Sequence, residues 1–169
     1  MNEGLLLLRV AFGLLMAAHG AQKLFGWFGG HGLRATAGFF EGLGFRPGLA
    51  FAGMAAATEL ASGLLMTLGL LGPVGPALMV SVMIVAAVSV HWKNGLFASA
   101  GGIEVALLYG IVAAMLTVTP PGRYSLDAML GLTALWTPSL RLLALGVGIV
   151  GGFGNLLLRR AAPAVAVAG

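Results

Sequence analysis

Residues 5–21, 49–71, 74–91, 101–118 and 140–158 are five apolar stretches, each about the length that a bilayer core demands. A spanning helix needs roughly 20 residues at about 1.5 Å of rise each. In hydrocarbon, a helix is the open-ended structure that satisfies its own backbone N–H and C=O groups. The chain therefore reads as an all-α integral membrane helix bundle, with four core spanning helices and a fifth spanning helix at the C-terminus. Residues 1–132 form the four-helix membrane unit on this reading, 133–160 carry the additional transmembrane helix, and 161–169 are a disordered Ala- and Val-rich tail. The first stretch is not read as a cleaved leader, because Glu3 stands where a basic cluster belongs and Arg9 interrupts the apolar run.

Composition supports the same class. Charged residues make up 8% of the chain, against about 25% in a soluble domain, and a water-facing surface cannot be built from so few. Twenty-eight glycines suit helices that approach closely in lipid. The formal charge of +4 is carried by isolated cations beside apolar segments, the ordinary mark of membrane topology and of contact with lipid head groups. No basic run argues for nucleic acid. There is no cysteine, so thiolate chemistry and disulfide exchange are excluded for this chain alone.

The connections set the topology. Gly72-Pro73-Val74-Gly75-Pro76 predicts a tight hairpin that makes the second and third spans antiparallel neighbours. The long connection 22–48 holds Trp27, Phe28, Phe39 and Phe40 and reads as an amphipathic or re-entrant interfacial element. Thr119-Pro120-Pro121-Gly122 ends the fourth span, and residues 124–137 read as interfacial. The end that holds the long connection collects Lys23, Arg34, Arg46, Lys93, Arg159 and Arg160, whereas the other collects Arg9, Arg123 and Arg141. The positive-inside rule places the first of these ends in the cytoplasm.

Ionisable groups at membrane depth cost about 2.5–3.5 kcal/mol each on insertion scales, so each needs a partner or a purpose. Arg9, His19, Glu59, His91 and Glu104 are such groups. Glu59 lies within about one residue rise of its span's centre. It reads either as a proton-carrying or ligand-orienting carboxylate or as a buried ion-paired acid that fixes helix register. Arg9 is its expected partner, with outward snorkelling as the alternative. His19, His91 and Glu104 share one leaflet, with Gln22 and Lys23 at the mouth, and together they outline a candidate ligand pocket under the aromatic connection. The ordinary alternative for both histidines is a hydrogen bond to backbone. A metal site is not expected, because the candidate ligands sit on three separate helices without local i, i+3 or i+4 pairing.

His19-Gly20 with Gln22-Lys23-Leu24-Phe25-Gly26, then Gly38-Phe39-Phe40 with Leu43-Gly44, Glu59-Leu60-Ala61-Ser62-Gly63 with Leu68-Gly69, and Gly101-Gly102-Ile103-Glu104 resemble the DoxX family across residues 5–132. Arg9, His19, Lys23, Glu59, His91 and Glu104 match the family's recurring polar positions. The resemblance implies a small bundle of four spanning helices in a bacterial inner (cytoplasmic) membrane, associated with quinone-linked oxidoreductase systems. It brings no defined catalytic set, so whether the chain is itself an enzyme stays open. No cofactor is intrinsic, and a quinone is the ligand expected in the pocket. The expected partners are membrane lipid, a redox partner protein or larger membrane complex, and a second copy of the chain. The competing reading is a non-catalytic accessory or assembly subunit, docked through Gly53, Ala57 and Ala61 on the second span.

Overall fold

The computed structural model of the protein describes residues 2–160; the tail 161–169 lies outside the described residues. Helices joined by turns and short irregular connections make up the described residues, with no strand among them. Four helices are long and apolar enough to cross a bilayer. They are α1 (Asn2–Phe25), α3 (Gly48–Leu68), the helix that starts as α4 (Val74–Ala86) and continues to Asn94, and α7 (Pro138–Leu157). α5 (Glu104–Val118) has 15 residues, or about 22 Å of rise. It is shorter than the span 101–118, because Gly101, Gly102 and Ile103 stay in the preceding loop. α2 (Gly32–Gly42) and α6 (Leu126–Met129) are short and lie at opposite ends of the bundle.

The breaker residues act where local sterics require. Gly69 ends α3 at φ 64°, and the N–H groups of Gly69 and Leu70 fold back on Met66 and Leu65 at 3.2 and 3.0 Å, a helix stop that favours glycine. The hairpin is therefore 69–73. Gly75 and Pro76 fall inside the first turn of α4, where a proline removes no needed donor. Pro138 opens α7, with the Thr137 hydroxyl accepting from the Leu140 N–H.

Close packing follows the glycines. A Cβ on Gly20 of α1 would stand 2.6 Å from the Leu60 nitrogen of α3, so these two helices touch backbone to backbone. Gly148 and Gly152 bring α7 against Ala77, Ser81 and Ile84 of α4. α4 is thus the central element, contacting α3, α5 and α7. Met16, Met66, Met79, Val80, Tyr109, Ala113 and Leu116 fill the main core, and Phe40, Phe45 and Ala52 form a second cluster under α2. Outward-facing Leu142, Leu143, Val147 and Val150 stay exposed along α7, as suits a lipid-facing wall.

The two ends of the bundle are distinct. The Arg160 N–H donates to Gly44 O at 2.8 Å and Arg159 Nε donates to Leu43 O at 3.0 Å, so α7 finishes at the α2 end. Arg141 Nη1 donates to Val118 O at 3.0 Å at the other end. The fifth apolar stretch therefore runs the full height of the bundle and returns Arg159 and Arg160 to the end that collects the other cations.

Candidate functional site

Lys23 and Glu59 are the central contact. Lys23 Nζ lies 2.6 Å from Glu59 Oε1 and also bonds Oε2, forming an ion pair between α1 and α3. Helical side chains lean toward their own N-terminus. Lys23, near the C-terminal end of α1, therefore leans down into the bundle, while Glu59 on antiparallel α3 leans up toward it. Gly20, one turn before Lys23 on the face that meets Leu60, brings the two helices close enough for this reach.

The same lean corrects the expected partner of Glu59. Arg9 leans toward the opposite end and does not meet Glu59; its Nη2 donates to Tyr124 O at 2.8 Å. Outward snorkelling is not the outcome either, since Arg9 is only 4% exposed and its guanidinium is tucked between Gly69 and Ser125. Nearby, fully buried Asp127 accepts from the N–H groups of Leu71 and Gly72 at 2.9 and 2.6 Å and from Trp136 Nε1 at 2.7 Å. Its own N–H donates to Gly69 O. The chain's one aspartate thus ties the 124–137 segment to the α3–α4 hairpin. In the sequence it stands in an unremarked interfacial stretch, with no periodic signal to mark it.

The Lys23–Glu59 pair borders a partly open cavity of about 260 Å³ lined by residues of α2, α3, α4 and α7. Phe39, Phe40, Phe45 and Phe51 supply its aromatic side, while Ser81, Ser89, His91 and Asn155 bring polar groups from α4, its continuation and α7. The continuation Ala87–His91 is a π-helical turn, a distortion often found at functional sites. Thr58 and Thr117 return their hydroxyls to the carbonyl four residues back at 2.7 and 2.8 Å. Ser89, in the widened π turn, makes no such bond, and its buried Oγ is without a protein partner.

Of the five expected pocket residues, Lys23 and His91 border the cavity, whereas His19, Gln22 and Glu104 do not. His19 is exposed and meets Tyr109 edge-on at 6.2 Å. Gln22 Nε2 donates to Phe28 O at 3.0 Å and shapes the turn after α1. Glu104 Oε2 accepts from the Ala98 N–H at 2.7 Å, so it caps the 95–103 loop. His91 Nδ1 lies 2.7 Å from Gly101 O in the same loop. Among the described residues no hydrogen bond or ion pair joins His19, His91 and Glu104, so the polar cluster read from depth alone is not assembled. The reason is rotational: residues at one depth on different helices meet only when their faces turn together. Among the same residues, no three His, Cys, Asp or Glu side chains lie together as a metal-holding group.

Sequence reasoning did not single out Ser81, Ser89 or Asn155. A serine or asparagine within an apolar run is common, and only the approach of α7 to α4 brings Asn155 to the wall that holds Ser81 and Ser89.

The DoxX family model matches residues 4–92, just over half of the chain. No curated protein and no solved structure matches it. The match takes in α1 to α4 with Lys23, Glu59 and His91; it stops short of Gly101-Gly102-Ile103-Glu104, which the resemblance had included, and of Asn155 on α7. With helices of bilayer-crossing length and this match, the chain is a multi-pass helical membrane protein that belongs to the DoxX family.

Proposed function

We propose that the protein binds a small amphipathic molecule of the quinone type in the cavity beside Lys23 and Glu59, as a subunit of a quinone-linked redox system in a bacterial cytoplasmic membrane. The observation that carries this reading is the ion pair set against an aromatic-walled cavity at membrane depth. The volume of about 260 Å³ lies just under the ~300–1,000 Å³ usual for drug-sized ligands. That is room for one substituted ring, with its tail left among the lipids. Aromatic walls suit stacking with such a ring. The Lys23 ammonium carries three N–H donors, of which Glu59 engages two in the pair, leaving one for a ring carbonyl. A ring oxygen that gains electron density on reduction takes up a proton, and the Lys23 ammonium beside buried Glu59 is the nearest proton-bearing group on this reading. Electrons come from a partner protein on this reading.

An accessory role is a second reading, favoured by one observation. Gly53, whose Cβ position is open space, and exposed Ala57 and Ala61 turn outward from α3, leaving a smooth face for another helix.

Purification in mild detergent followed by mass spectrometry of extracted lipophiles and co-purified proteins tests both. Quinone should accompany the wild-type protein and be lost from Ala86→Trp, which fills the cavity from its α4 wall. Recovery of a stable larger complex with no quinone, and no uptake of added quinone, would overturn the binding reading and leave the accessory one.

A further inference from the structure

The polar atoms around the cavity differ in what they can offer, and their backbone partners settle the matter. Asn155 on α7 donates its Nδ2 to Gly151 O at 3.1 Å. A carbonyl only accepts, so the amide nitrogen must point at Gly151 and the Asn155 Oδ1 is the end left over. That oxygen accepts and cannot donate. His91 is fixed in the same manner: with Gly101 O 2.7 Å from Nδ1, Nδ1 must carry the hydrogen, and in the neutral ring Nε2 is a bare acceptor. Both residues border the cavity, and no protein partner takes up either remaining atom among the described residues. Neither acceptor can be satisfied by a carbonyl. Ser81 and Ser89 can serve in either direction, so they do not discriminate.

From this inventory we infer that the cavity selects a ligand whose ring carries hydroxyl hydrogens, so that of a quinone and quinol pair it holds the reduced, hydroxyl-bearing form more tightly, with Asn155 Oδ1 as the specificity-determining acceptor. The inference rests on the proposed cavity ligand and deepens it. Lys23, on the α1 side of the cavity, donates to a ring oxygen in either oxidation state. Asn155 Oδ1 and the His91 Nε2 of a neutral ring, on the α7 and α4 side, can each bond only a ring oxygen that carries a hydrogen. A quinone there would set its carbonyl lone pairs against two acceptors, a repulsive contact in a partly dry site. Asn155 lies beyond the matched segment 4–92. Residues 4–92 thus supply the ion pair and the aromatic wall, and α7 adds the group that reads the oxidation state.

The test compares three probes with the same ring and a short alkyl tail: a benzoquinone, its quinol, and the quinol's dimethyl ether. Their affinities for the detergent-purified full chain are measured by anaerobic equilibrium dialysis. One net hydrogen bond to a ligand corresponds to roughly 2- to 10-fold in affinity. The wild-type protein should hold the quinol at least about 3-fold more tightly than either the quinone or the ether. Asn155→Ala and Asn155→Leu should each cut the quinol-to-quinone ratio by about 2-fold or more, the His91 acceptor keeping what remains. Equal wild-type affinity for quinol and quinone, or an unchanged ratio in both variants, would overturn the inference while leaving the cavity a quinone site. Failure of all three probes to bind the wild-type protein would overturn the cavity reading itself, and the inference with it.

Discussion

In the antiparallel pair α1 and α3, the direction in which each side chain leans decides which charges meet. Lys23 and Glu59 lean toward one another and pair, whereas Arg9 leans away and spends its charge on Tyr124 O beside the Asp127 layer. The Glu59 side chain is 5% exposed and that of Lys23 is 28% exposed, so one half of the pair is dry and the other partly wet. Removing one member of a buried pair leaves an uncompensated charge and costs about 3–5 kcal/mol, while replacing both by neutral groups is often close to neutral. The partial exposure of Lys23 puts this protein at the low end of that range. Lys23→Met and Glu59→Gln should each lower the unfolding free energy by about 3 kcal/mol, and the double variant should recover most of the loss. A denaturation cycle on the four proteins in detergent checks this; additive losses would show that the two side chains are not coupled.

At the scale of elements, glycine decides how near one helix comes to another. Gly148 of α7 stands against Ala77 of α4, so an added side chain there meets backbone, whereas Gly146, two residues earlier, faces open space. Small-to-large changes in packed positions cost about 1–3 kcal/mol, and changes at unpacked surface positions usually stay within about 0.5 kcal/mol. Gly148→Leu should therefore lower the thermal midpoint in detergent clearly, and Gly146→Leu should leave it nearly unchanged. Equal effects would mean that α7 does not rest on α4 along this face. The contact also has a functional side, because the same approach carries Asn155 to the cavity wall.

Across the whole molecule, α7 returns to the α2 end and gathers Arg34, Arg46, Lys93, Arg159 and Arg160 there, while Arg123 and Arg141 stay at the other. The absence of cysteine makes this arrangement directly measurable. Single cysteines replacing exposed Arg34 and Arg159 should react with a membrane-impermeant maleimide from one side of sealed vesicles, and a cysteine replacing Arg123 from the other. The cation bias predicts that Arg34 and Arg159 face the cytoplasm. Labelling of positions 34 and 159 from opposite sides would contradict the meeting of α2 and the end of α7 at one end of the bundle.

The helical bundle, its hairpin after α3 and its amphipathic α2 were legible in the chain itself, because apolar run length, breaker residues and aromatic flanks act over a few neighbouring residues. The family resemblance was legible too, and its matched part contains Lys23, Glu59 and His91. Which ionisable groups meet was not. Depth can be counted along a run, but the rotation of each helix and the closeness of its neighbours depend on Gly20 against Leu60 and on Gly148 and Gly152 against α4, contacts between residues far apart in the chain. Those contacts left His19 on the outside and placed Asn155 beside a cavity that no local pattern announces, while the lean of Arg9 along α1 carried it to Tyr124 O.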